Sequence, residues 1–279
     1  MQRAPHTALP FRTCAGLPLP PPVADLLHAV ERAGDLTPAR AAALLRAARL
    51  TPADLTRWQD LRHPAADSYG RKLIGRGPRF ELMLMSWAPG DYSAIHDHGR
   101  AEWGAVRYFG AADHIVFDLT DGALSIRERM QTRCGDVYEV DAELIHLMGN
   151  SGHRPLFSLH LYGRAEPDAA ITGSARVFDL FEDRIQRTDG GVFHCLPERE
   201  IARREPGPAA DAETRLLHHR LMLGRVERML AARATNLALH RRARLLRVAI
   251  TRLEAEASAG WGASQRTGWA TGIELEAAS

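Results

Sequence analysis

Between Phe80 and Tyr162 the chain breaks into short strand-like runs: Phe80 to Trp87, Trp103 to Phe109, His114 to Leu119, Ala123 to Met130, Asp136 to Val140 and Pro155 to Tyr162. Turn-forming clusters punctuate them, among them Ala88-Pro89-Gly90, Thr120-Asp121-Gly122 and Gly149-Asn150-Ser151-Gly152. Gly, Asn and Asp accept the backbone conformations of tight turns, and Pro presets one, so each cluster ends a strand. Strands this short cannot bury a face alone. At this spacing they predict a closed barrel or a sandwich. A last strand-like stretch runs to about His194.

The segment Gly90-Asp91-Tyr92-Ser93-Ala94-Ile95-His96-Asp97-His98 carries the first chemical signal. Residues two apart in a strand share a face, so His96 and His98 would aim two imidazoles at one point inside a barrel. Neutral imidazole suits zinc, iron, copper or nickel. Two surface histidines on a loop would also fit the pair taken alone. A second segment decides between them: Gly135, then His146, then Asn150 four residues further on. Gly-x5-His-x-His followed by this spacing resembles the paired motifs of the cupins, although Asp141 and Glu143 stand where a Pro and a Gly are usual. The resemblance implies a mainly β protein, a cupin double-stranded β-helix or jelly-roll barrel, with helical N-terminal and C-terminal additions. It implies His96, His98 and His146 as the metal ligands. Glu102 is the candidate for the carboxylate that many cupins add, but it falls one residue off the fitting position, which Trp103 occupies.

Ser158-Leu159-His160-Leu161-Tyr162 alternates, with leucines on one face and polar groups on the other. A buried polar face is costly unless its groups pair with one another or with a ligand. Together with Tyr69-x-Arg71, His96-Asp97-His98 and His146-x3-Asn150, this run resembles cysteine dioxygenase over about residues 67–196. That resemblance implies an iron(II) cofactor, a small-molecule thiol or amino-acid substrate, and O2. It implies Arg71 as the partner of a substrate carboxylate, and Tyr69 as a second pocket residue. Tyr162 would be the active-site tyrosine, oriented by His160 and Ser158. The cysteine that animal enzymes cross-link to this tyrosine is replaced, by count, with Trp103, which would line the pocket and leave no thioether.

The resemblance thus implies a thiol dioxygenase that converts cysteine or a related small carboxylated thiol to its sulfinic acid. An alternative is an iron cupin oxygenase acting on a non-thiol amino acid or biosynthetic intermediate, motivated by Trp103 and the helical extensions. A non-enzymatic metal-binding cupin is a third reading; metal storage alone needs neither Arg71 nor Tyr162 nor His160.

Around the barrel, expected over 67–200, lie an N-terminal strap and helices over 1–66 and a C-terminal helical extension over 201–279. Thr37-Pro38 and Thr51-Pro52 read as helix starts, and Glu205-Pro206-Gly207-Pro208 as a linker. The apolar positions of 211–257 would pack on the barrel or on a second copy, making a homodimer through these helices. A net charge of +2 from 36 basic and 34 acidic residues gives no global field for nucleic acid or membrane surfaces. Cys14, Cys134 and Cys195 form no CxxC pair, and Cys134 reads as a small buried residue. Without a signal-like apolar stretch in Met1 to Leu19 or a membrane-length run, the expectation is a cytoplasmic protein.

Overall fold

The computed structural model describes residues 18–166 and 171–268, with backbone alone at 257 and 259–268. The expected strap over 1–22 falls mostly outside these residues. The first wall contains β1 (Gly70–Arg76), β2 (Phe80–Trp87), β3 (Trp103–Tyr108), β6 (Val137–Asp141) and β8 (Leu156–Gly163). Their spatial order is β1-β2-β8-β3-β6, all antiparallel. The second wall has two parts. One pairs β12 (Ala209–Ala210), β5 (Ala123–Gln131), β4 (Asp113–Thr120) and β7 (Ile145–Gly149) in that order. The other pairs β11 (Ile201–Pro206), β10 (Arg184–Thr188) and β9 (Ala175–Asp179). The extended segment 91–98 joins them: Tyr92 bridges Gly149, and His96 bridges His146 on one side and Val177 on the other. The result is a jelly-roll barrel, a double-stranded β-helix.

Strand alternation sorts the side chains of the first wall. Leu82 and Leu84 of β2, Ala105 of β3, and Leu159 and Leu161 of β8 face outward. There they meet Val23, Leu26 and Leu27 of α1 (Pro21–Arg32) and Leu45 of α2 (Pro38–Ala47). Met83, Met85 and Trp87 of β2, with Tyr162 of β8, point inward. Every residue of β2 is therefore buried, which the period-two pattern of a one-sided strand would not permit. Thr37 caps α2 by accepting from the Arg40 amide at 3.3 Å, while the second Thr-Pro start opens a 3-10 turn, Pro52–Trp58, rather than an α-helix. At the other end, α3 (Ala212–Ala232) and α4 (Leu237–Gly268) pack on each other through Met222, Val226, Ala243 and Leu246. Among the described residues no helix is long and apolar enough to cross a membrane.

Three expectations need correction. The Pro-Gly stretch after Arg204 is not a linker: Ile201–Pro206 is an edge strand on β10, and Ala209–Ala210 runs parallel to β5, so strands continue to 210. Pro206 ends its edge strand, a position that needs no donor. The His96-x-His98 pair lies on the irregular bridging segment rather than in a regular strand. Cys134 is exposed, since Asp136 folds its carboxylate back onto the Arg133 amide in a surface turn.

Candidate metal centre

Backbone bonds hold two ligand segments against each other. The amides of His96 and His146 each donate to the other's carbonyl at 2.9 Å. Asp97 faces away from the centre and accepts from the Gly99 amide and from the amide and Nε of Arg176. These contacts fix where the side chains on either side of Asp97 point. The rings of His96, His98 and His146 lie 4.6 to 5.4 Å apart, and one ring nitrogen from each falls within 4.8 Å of the others.

The chemistry of these nitrogens fits a metal. His96 Nδ1 donates to the Ala94 carbonyl at 2.9 Å, which makes Nε2 the free lone pair. His146 Nδ1 meets His114 Nε2 at 2.7 Å, and when Nδ1 is the donor the Nε2 lone pair is left for a metal. His146 Nε2 and both nitrogens of His98 are buried with no hydrogen-bond partner. Buried polar atoms are rarely orphaned, and ligation removes the anomaly. Burial pushes the His96 imidazolium down to about 4, and those of His98 and His146 well below the usual value. All three are neutral near pH 7, the form that binds a metal. Glu102 does not join them: it is exposed and accepts from the Ala165 amide at 2.8 Å.

His96 and His98 open onto a small cavity, about 40 Å³, lined also by Tyr69, Arg71, Met85, His160, Tyr162 and Thr172. Arg71 Nη2 donates to Thr172 Oγ1 at 3.3 Å, and Thr172 Oγ1 donates to the buried Glu81 at 3.4 Å. Glu81 itself is neutralised by Arg76 at 2.6 Å. Among the described residues, then, Arg71 meets a neutral hydroxyl and no carboxylate of its own.

Ser158, His160 and Tyr162 follow one another along the inner face of β8. Trp87 Nε1, which can only donate, gives its proton to Ser158 Oγ at 2.9 Å. Ser158 then donates to His160 Nε2 at 2.7 Å, which makes His160 Nδ1 the N–H that donates to the Tyr162 oxygen at 2.8 Å. The Tyr162 hydroxyl proton is thereby left for the cavity. Burial holds His160 neutral, down to about 3. Burial, with Tyr69 beside it, keeps Tyr162 a phenol. The indole of Trp87 occupies one lone pair of Ser158 Oγ, and His160 Nε2 is the acceptor in reach of the hydroxyl proton.

Trp103 is not in the cavity. It faces outward, in the core under α1 and α2, with its ring against Gly163. Its neighbour Gly104 sits opposite Tyr162, and a Cβ there would come 2.5 Å from Tyr162 Cδ1. The Gly99-Arg100 turn after His98 shifts the inward–outward parity by one residue, which counting along the chain cannot reveal. The residue facing Tyr162 still carries no sulfur, but it is glycine rather than tryptophan. Sequence reasoning also missed Trp87, His114 and Thr172. His114 opens the strand-like run to Leu119, and its alternation on β4 puts it on the face of Val116, where it reaches His146 of β7.

Residues 41–168, just under half of the chain, match the family model described as cysteine dioxygenase type I. Over this segment the chain is similar to the cysteine dioxygenase family. The match ends before Thr172 and includes neither α3 nor α4. Solved structures with similar folds include an uncharacterized conserved protein with a double-stranded β-helix domain from Klebsiella pneumoniae, 12% identical, covering 43% of this chain and 93% of that one, TM-score 0.33. A Cupin 2 conserved barrel domain protein from Salinispora arenicola is 18% identical over 40% of this chain and 87% of its own, TM-score 0.28. An oxalate oxidase in complex with glycolate is 17% identical over 41% and 59%, TM-score 0.34. Likenesses of this size carry no argument about activity. The family match and the His triad together support a metal-dependent cupin dioxygenase.

Proposed function

We propose that this protein is a non-haem iron(II) thiol dioxygenase that oxidises cysteine or a related small carboxylated thiol to its sulfinic acid with O2. The observation that carries the reading is convergence: His96 and His98 of the neutral imidazole triad, the Arg71 guanidinium and the Tyr162 hydroxyl line one small cavity. Iron held by His96, His98 and His146 would supply the activation of dioxygen and favour the deprotonated thiol. The rest falls to the chain. Arg71 offers a planar fork to a carboxylate and so fixes which end of the substrate faces the triad. Tyr69, stacked on Trp87 at 4.5 Å, walls the same side. Tyr162 donates its proton toward the reacting atoms, and His160 holds its oxygen in place. The stoichiometry closes without a second reductant: sulfur loses four electrons, O2 gains four, and both oxygen atoms end on sulfur.

The non-thiol alternative loses its main support, because Trp103 lies outside the cavity. Two free thiols, Cys134 and Cys195, suit a reducing cytoplasm. Leu237, Leu245 and Val248 are exposed on α4 and support pairing of two copies through this helix, which sedimentation would test. The activity is tested with iron-loaded protein, a panel of small thiols, oxygen uptake and mass spectrometry of products. The expected product is the substrate plus two oxygen atoms. Oxygen uptake with no thiol in the panel would overturn the reading.

A further inference from the structure

The metal segment and the substrate arm start from the same buried point. Asp91, fully buried, opens the segment that leads to His96. Its carboxylate accepts from the Ala88 amide at 2.7 Å and closes the turn that includes Gly90, whose φ is +76°. Asn150, four residues after His146, donates its amide to the Asp91 carbonyl at 2.8 Å and accepts from the Gly90 amide at 2.6 Å. Both ligand-bearing segments are therefore tied at Asp91. The charge on Asp91 is met from two other parts of the chain: His63 at 3.0 Å, and Arg225 and Arg228 of α3, each at 2.8 Å.

Arg225 does more than neutralise. It is only 3% exposed. One Nη bonds both Asp91 and the Ser68 carbonyl, at 2.8 and 3.0 Å, and the other bonds the Ala65 carbonyl at 3.3 Å. Ser68 directly precedes Tyr69, and its hydroxyl accepts from the His194 amide at 3.1 Å. Tyr69 accepts from the Val192 amide at 3.3 Å. The guanidinium fork thus spans the roots of two arms, one carrying His96 and His98, the other Tyr69 and Arg71. His63 also reaches Asp91, but its other ring nitrogen meets the Pro64 carbonyl, and it bonds neither the Ala65 nor the Ser68 carbonyl. A lysine could match the charge of Asp91 but could not hold three oxygens in a plane.

We infer that Arg225, on a helix outside the family-matched segment, is a positioning residue that fixes the distance between the substrate-anchoring arm and the metal-binding segment. The C-terminal helical extension is then a working part of the site rather than a cover. The inference rests on the proposed function only for its kinetic consequence.

The test uses full-length protein with Arg225→Lys, and Arg220→Ala as control. Arg220 pairs with Glu254 on the exposed side of the same helix. Arg225→Lys should keep its metal and its fold. Amide hydrogen exchange over 65–71 should speed at least about tenfold. The KM for the carboxylated thiol should rise about tenfold, with kcat changed less than about threefold. Arg220→Ala should change none of these. Unaltered exchange over 65–71 in folded Arg225→Lys would overturn the inference. Should Arg225→Lys fail to fold, native-state exchange of the wild type against denaturant decides it. Residues 65–71, 88–92 and 222–229 should then open as one unit, and separate openings would overturn the coupling. If no thiol is turned over, the functional reading falls, while the exchange result still decides this one.

Discussion

Replacing Ser158 with alanine separates a directed proton chain from a merely satisfied core. The hydroxyl is fully buried, accepts from Trp87 at 2.9 Å and donates to His160 at 2.7 Å. Alanine removes both bonds and leaves two buried groups without a partner. Each orphan costs about 1–3 kcal/mol, so the variant should lose about 2–6 kcal/mol of stability. For a chain of this size that lowers the melting temperature by roughly 4–24 °C. The kinetic effect has a different origin. Without Ser158, His160 is free to protonate at Nε2 instead, and Nδ1 then takes the Tyr162 proton away from the cavity. A lost preference of about 1 kcal/mol reduces the competent population, and hence kcat, about fivefold. Tyr162→Phe removes the donor outright and should cost about 10–100-fold. Neither change should alter metal content. His160 is held neutral, so it should add no inflection to kcat between about pH 5 and 9. Oxygen uptake, metal analysis and calorimetry on both variants are sufficient. A Ser158→Ala protein that is destabilised yet turns over within twofold of wild type would refute the directional reading.

Arg71→Ala should leave metal content intact and raise KM for a carboxylated thiol about 10–100-fold, while cysteamine, which has no carboxylate, should be a poor substrate nearly indifferent to the change; oxygen uptake with both thiols checks this. His114→Ala removes the partner of His146 Nδ1 and should weaken metal affinity about 10–100-fold, measured by competition with a chelator, whereas His96→Ala should abolish binding. His63 responds to pH in a defined direction. Burial pulls its imidazolium down, but the hydrogen bond and charge of Asp91 outweigh this and raise it above the usual value. A raised folded pKa gives stability that is complete below about pH 6.5 and fades as pH rises through the folded value. Urea midpoints of His63→Gln should therefore fall less than those of wild type above about pH 6.5.

What the residue pattern revealed and what it concealed follow from contact range. The short strands and their turns are local, and so are the spacings that mark His96, His98 and His146. The alternation of Ser158, His160 and Tyr162 is local too, which is why their common face was legible. Trp103 was misplaced because one irregular turn reverses parity for the whole strand that follows. Arg225 was out of reach for another reason: it meets Asp91 across 134 residues, and nothing in its own helix distinguishes it from thirteen other arginines after Pro197. His114, 32 residues from His146, is the same case on a smaller scale. Only packing shows which of many polar residues are buried together.

The order of the first wall, β1-β2-β8-β3-β6, also bears on how the chain is made. β8 lies between β2 and β3, yet it is synthesised after both. Until Leu156–Gly163 leaves the ribosome, β2 and β3 have no strand between them, and α1 and α2 have no finished surface to cover. Leu82, Leu84 and the leucines of α1 and α2 must stay unburied for the time that about 70 further residues take to be translated, several seconds at cellular rates. Long-range pairing of this kind is slow, and exposed apolar strands associate with one another. A nascent chain stalled just short of β8 should therefore be protease-sensitive and hold chaperones, and one stalled well past it should not.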